Sequence, residues 1–292
     1  MPARTVARTT QVGDFLRARR DALQPEDVGL TREPGRRVPG LRREEVAQLA
    51  DISPEYYLRL EQGRDHQPSE QVLAALCRAL RLDPAAADYL YRLVHPFRRR
   101  LVPAPRPEPT DDSDLVAVVG AFQNPAIVVD RTKDVVAVNG LAAAMAAHWC
   151  RPGHNVVLAS FTPQVRQQMP DWARHARRMV ASLRLSADPD DPRLQEIVGR
   201  LSLQDRDFQR WWASHEVSAV THGTVPMTID HHGDVVLQWH ELDLPDHPGH
   251  VVTMFSAIDD AGRRGLDLVR SRAGASRGRT RSERSDVLVA AG

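Results

Sequence analysis

Apolar residues recur at helical spacing through roughly the first hundred positions and begin to alternate only after about residue 125. Val12, Phe15, Leu16 and Leu23 predict an amphipathic first helix whose other face carries Arg17, Arg19 and Arg20. The stretch QPEDVGLTREPGRRVPG that follows holds too many glycines and prolines for a single element. A second helix is predicted from near Arg42, with Val46, Leu49 and Ala50 on one face. Glu44 and Glu45 fall in its first turn, where the helix dipole favours negative charge, and it stops at Asp51-Ile52. Ser53-Pro54 opens a third helix, because serine caps free N–H groups and proline suits the first helical position. It runs to Gln62 with Gly63 as terminator; Tyr57 and Leu60 face inward and Tyr56 flanks them. After a loop at Asp65 to Pro68, a fourth helix starts at Ser69 with Val72, Leu73, Leu76 and Leu80 inward. A fifth follows Asp83-Pro84, burying Tyr89, Leu90 and Leu93.

Two helices joined by so short a turn must cross steeply, and the second then projects its first turns outward, as a helix entering the major groove does. Arg42 and Arg43, at the start of the second helix, are placed for a phosphate. On the third helix, Glu55 can accept from cytosine and Arg59 can donate to guanine, while Leu58 and the Pro54 ring can meet a thymine methyl. Tyr56 can set its hydroxyl on a phosphate, and Glu61 is expected to brace the turn rather than touch DNA. From spacing alone a protein-binding helical array stays open.

Beyond residue 113 the pattern changes. Leu115, Val116 and Val119 open a helix; AIVVDRTKDVVAVN reads as two strands around a polar turn; GLAAAMAAHW is a short helix capped by Asn139. PQVRQQMPDWARHARRMVASLRLSADP reads as one long helix, with Val165, Met169, Trp172, Ala176, Met179 and Leu183 near one side. Two further helices follow. TVPMTIDHHGDVVLQWHELDLP then predicts a hairpin turning at His232-Gly233, and GHVVTMFSAID another strand. Helices gathered on an antiparallel sheet make an α+β layout, with room between the layers for an apolar small molecule. Met169, Trp172, Met179, Trp211, Trp239 and Phe255 are the candidate pocket residues, each with a plain core role as the alternative.

The formal net charge of +1 conceals an uneven distribution. Residues 1–109 hold 19 basic and 15 acidic side chains, residues 110–265 hold 14 and 20, and the remainder 6 and 3. That division suits a protein offering one part to a polyanion. Cys77 and Cys150 form no disulfide or zinc pattern. Seven histidines lie between positions 215 and 250, but neighbours such as His231 and His232 face opposite ways on a strand, so no metal site is expected, and no cofactor or catalysis. No signal-like or membrane-length apolar run is present, so a cytoplasmic protein with no membrane partner is expected.

EEVAQLADISPEYYLRLEQGR resembles the repressor-like helix-turn-helix family. More narrowly, GDFLRARRDALQPEDVGL, GRRVPGLRREEVAQLADISPEYYLRLEQGR and PSEQVLAALCRALRLDP resemble the MmyB-like regulators, and so do NPAIVVDRTKDVVAVNGLAAAM and LQWHELDLPDHPGHVV further on. The resemblance implies a five-helix, all-α DNA-binding head and an α+β, PAS-like ligand-binding domain with an antiparallel sheet. It places Pro54, Glu55, Leu58 and Arg59 at base edges and Arg43 at a phosphate, and it implies a small lipid-like effector. Asp51 stands where glycine is typical, Trp239-His240-Glu241 where Tyr-Glu is usual, and IDDAGRRGLDLV lacks the usual Pro-Gly-Ser-Pro-Ser run. The expected division is a head over 1–94, a linker over 95–112, a ligand-binding and dimerisation domain over 113–272 and a tail over 273–292. The expected partners are double-stranded DNA, a second copy on a palindromic operator with recognition helices about 34 Å apart, and a small-molecule effector. A rear domain that only dimerises, or a protein-interaction module without DNA, are the readings kept beside it.

Overall fold

The computed structural model describes residues 2–32, 35–36, 38–64, 67–95, 112–146, 150–229 and 232–274. Linker residues 96–111, the turn pair 65–66, His231 and tail residues 275–292 lie outside the described residues. In chain order the helices are α1 (Pro2–Ala22), α2 (Arg43–Leu49), α3 (Pro54–Glu61), α4 (Glu70–Ala79), α5 (Pro84–Val94), α6 (Asp112–Gly120), α7 (Gly140–Met145), α8 (Val156–Ser160), α9 (Pro163–Gln168), α10 (Trp172–Ser186), α11 (Pro192–Gln204) and α12 (Arg206–Ala213). The strands are β1 (Ala126–Val129), β2 (Val135–Val138), β3 (His222–Ile229), β4 (Gly233–Asp243) and β5 (Val251–Ala257), and residues 260–274 are helical. The five helices expected in the first hundred residues and the α+β arrangement after them are both present.

Two compact units interleave along the chain: Met1–Pro103 with Arg177–Ala219, and Ala104–Ala176 with Val220–Gly292. Among the described residues the first holds helices and no strand. Its core gathers Phe15 and Leu16 of α1, Val46 and Ala47 of α2, Tyr57 and Leu60 of α3, Leu73 and Leu76 of α4, and Leu90 of α5. Ser53, Ser69 and Asp83 cap α3, α4 and α5 by accepting from the N–H three residues on, as the sequence leads one to expect. α2 ends with Asp51 in the left-handed region at φ 53° and the Ile52 N–H bonded back to the Ala47 carbonyl. The aspartate therefore takes the left-handed turn position where the resemblance led one to expect glycine, at a modest conformational cost.

Two inward and outward assignments reverse. Leu49, expected in the core, is exposed, and Ala47 takes its place. Arg20, expected on the solvent face of α1, is buried: its Nε donates to Glu61 at 2.6 Å and its Nη1 to the Leu41 carbonyl at 2.8 Å. Residues 177–219 pack within the same unit. Val217 and Leu185 join its apolar core, and Arg92 of α5 donates to the Leu185 carbonyl at 2.8 Å. The buried Arg184 lies 3.8 Å over the Trp212 ring and donates to the Trp212 carbonyl. Its Nη1 stands 3.3 Å from His215 Nδ1. Burial, with Arg184 and Arg19 nearby, pushes the His215 pKa down to about 3, so the ring is neutral at physiological pH and Nδ1 accepts.

In the second unit the antiparallel sheet runs β2-β1-β5-β4-β3. β1 is an interior strand, paired on both sides and buried throughout, which is why it reads as an unbroken apolar run. One face packs Val225, Leu237, Trp239 and Phe255 with Leu266 and Val269 of the 260–274 helix; the other packs Val128 and Val252 with Leu115 and Val119 of α6. Val116, placed in the same apolar helix pattern, is exposed. The long helix expected from Pro163 is broken. Pro170 can donate no N–H and forces Met169 into extended backbone, so α9 ends at Gln168 and α10 begins at Trp172.

α1 and α3 approach closely because Gly13 lacks a side chain: a Cβ there would stand 2.3 Å from the Glu61 carbonyl oxygen. We expect Gly13→Ala to lower the unfolding free energy by about 1–3 kcal/mol, read as a lower urea midpoint at unchanged m-value. An unshifted midpoint would mean the two helices separate without loss.

Candidate functional site

The outward face of α3 is held by what its inward face does. Ser53 Oγ accepts from the Tyr56 N–H at 3.1 Å and fixes the first turn. Tyr57 and Leu60 are fully buried, and Glu61 is 2% exposed. Pro54, Glu55 and Arg59 are exposed, and Leu58 and Tyr56 are half-buried, so the four expected base-contacting residues share one short helix whose N-terminal end is open. The Arg59 guanidinium lies over the Tyr56 ring, 5.3 Å from its centroid. Arg43 is exposed but not loose: its Nε donates to Glu61 at 2.7 Å. Arg42 is half-buried, and its backbone N–H donates to Glu45 at 2.6 Å.

Two carboxylates organise this region. Glu45 accepts from Arg36 at 2.6 Å, tying the irregular 35–42 stretch to α2, and the Arg36 bond holds its pKa below the usual carboxylate range. Sequence reasoning assigned Glu45 to the helix dipole and missed Arg36. Glu61 is buried between Arg20 and Arg43. Burial alone would raise its pKa, but the two guanidinium bonds outweigh that and hold it low. The bracing role expected for Glu61 has this physical form, while Arg20 was missed because charge on an amphipathic helix reads as surface.

The six pocket candidates divide between the units. Trp239 and Phe255 are buried partners across β4 and β5, and Met169 packs on the same cluster with Met145 and Met227. Trp172 is buried elsewhere in that unit, its indole N–H donating to the Ser160 carbonyl at 2.7 Å beneath Arg166. Met179, half-buried, and Trp211, buried, belong to the helical unit. Met145, at the end of α7, and Met227, on β3, were not singled out from sequence; tertiary packing brings them to this face. His222 and His240 face each other across β3 and β4 with ring centroids 6.3 Å apart.

Residues 112–268 match the MmyB-like transcription regulator ligand binding domain, and residues 11–90 match a helix-turn-helix domain. The chain belongs to the MmyB-like transcription regulators. No curated protein matches it. As an MmyB-like regulator it is a DNA-binding transcription regulator carrying a ligand-binding domain. Among the described residues, no helix of this MmyB-like regulator is long and apolar enough to cross a membrane. The helix-turn-helix match encloses α2 and α3, and with them Arg42, Arg43 and the 54–59 face.

Because its folded pKa is depressed, Glu61 contributes stability that is present above its unfolded pKa of about 4.3 and is lost as pH falls through the lower folded value. Glu61→Gln is expected to cost about 3–5 kcal/mol at pH 7 by leaving Arg20 without its carboxylate. The gap between wild type and variant should close as pH drops below about 4.3. Urea midpoints at pH 7, 5 and 3 measure both; a gap independent of pH would contradict the charge-based account.

Proposed function

We propose that this MmyB-like regulator reads its operator with the first turns of α3. Pro54, Glu55, Leu58 and Arg59 meet base edges, and Arg42, Arg43 and Tyr56 meet phosphates. The observation carrying this reading is the division of α3 itself. Tyr57, Leu60 and Glu61 fix it to the core while the 54–59 face stays accessible. Phosphate contacts from the start of α2 then set register, and base contacts from α3 set sequence.

One such head reads few base pairs, so the working form is a homodimer on a two-fold operator, with two α3 helices one duplex turn apart. The sheet-bearing region is PAS-like and holds a small, largely apolar effector. Met169, Trp239 and Phe255 support that reading, because methionine-rich apolar clusters repack around ligands of varied shape. The effector regulates DNA binding by favouring one arrangement of the dimer over another.

Binding of the full chain to DNA from its own upstream region, across a salt series, tests the DNA reading. Affinity should fall linearly in log–log form with salt. Arg59→Ala should relax selectivity at one base pair at a cost of about 1–3 kcal/mol, and Arg42→Ala, which leaves both Glu61 ion pairs in place, should weaken all sequences alike and lower the slope by about one. Equal affinity for scrambled DNA would overturn sequence reading by α3.

A further inference from the structure

We propose that Tyr56 is a positioning residue for Arg59: its ring is a fixed platform that holds the guanidinium ready for a base edge, and so sets how sharply α3 discriminates at one base pair. The inference rests on the DNA reading proposed above and goes beyond the phosphate role given to Tyr56 there.

Three observations carry it. First, the Tyr56 backbone is pinned, since its N–H donates to the Ser53 cap at 3.1 Å. Second, its ring is half-buried and packs against the apolar core of the helical unit, so it is not a freely rotating surface group. Third, the exposed Arg59, one turn on, lays its guanidinium over that ring, 5.3 Å from the centroid. That distance is within range of the attraction between a cation and the negative face of an aromatic ring.

Glu55 lies one turn before Arg59 on the same helix, yet among the described residues no carboxylate pairs with Arg59. A long arginine side chain normally loses much rotamer freedom when it docks on a base edge. A platform that has already ordered it moves that loss from binding to folding. A cation–ring contact uses no N–H donor of the guanidinium for a hydrogen bond, so the donors a guanine needs remain available.

The test uses the full-length protein and an operator selected from a random DNA pool. Discrimination is the ratio of Kd values between that operator and a copy altered at the base pair to which Arg59→Ala is indifferent. Tyr56→Phe keeps the ring and should keep wild-type discrimination. Should Tyr56→Phe weaken binding to both DNAs by the same factor, the hydroxyl additionally meets a phosphate and the platform stands. Tyr56→Leu keeps apolar packing without the ring, and should lower discrimination about two- to fivefold with the salt slope unchanged. On an Arg59→Ala background the same substitution should have no further effect. Urea midpoints confirm that each variant is folded at the assay temperature. Wild-type discrimination in Tyr56→Leu, or an equal loss in the Arg59→Ala background, would overturn the platform. A wild-type protein that enriches no sequence from the pool would overturn the interface reading and this proposal with it.

Discussion

A carboxylate shut away from water is costly unless its charge is met, and Glu61 is met twice, by Arg20 from α1 and by Arg43 from α2. The residue itself closes α3. Three helices are thus referred to a single buried anion, and the helix-turn-helix geometry follows from that triangulation as much as from apolar packing. Arg20 extends the arrangement by donating to the Leu41 carbonyl, which fixes the chain just before α2. The glycines at 13 and 40 let backbones come close enough for these bonds. A Cβ on Gly40 would lie 2.4 Å from the Asp21 carbonyl oxygen, and one on Gly13 would lie 2.3 Å from that of Glu61. The outward face of α3 has a defined direction because its inward face has no freedom left.

What the amino-acid sequence disclosed of this follows from which signals are local. Helix starts were legible at Ser53, Ser69, Asp83 and Asn139 because a cap and its N–H lie within three residues of each other. The Pro170 break was also local, yet the apolar spacing across it was regular enough to suggest a single helix. Arg20–Glu61 and Arg36–Glu45 were not legible as pairs. The first spans 41 residues, and although Glu61 could be expected to brace the turn, Arg20 alone looks like an ordinary surface charge. The helical segment over 260–274 carries a helical signal in the spacing of Leu266, Val269 and Ala273, all buried, although the stretch departs from the family motif expected there.

The two functional regions were legible to different depths. On α3, consecutive turns of one helix decide exposure, so residues 54–59 could be sorted from spacing alone. In the sheet, exposure depends on register between strands far apart in sequence. Residue type carries neither register nor helix placement, so Met and Trp side chains of like chemistry sit in separate places: Trp239 opposite Phe255 on one sheet face, Trp172 bonded to Ser160, Met179 and Trp211 in the helical unit.

Residues 177–219 lie inside the stretch matching the ligand-binding domain, yet they supply Val217 to the core of the helical unit and the carbonyl that Arg92 uses. The bead-on-a-string picture, in which a head is exchanged between regulators by recombination within a proline-rich linker, does not describe this protein. A crossover at 95–112 would part α5 from the segment that completes its surroundings, and the recombinant would have to supply a matching segment from its new partner. A head ending at residue 94 would thus leave a gap where Val217 and Leu185 pack and would leave the Arg92 guanidinium without the Leu185 carbonyl.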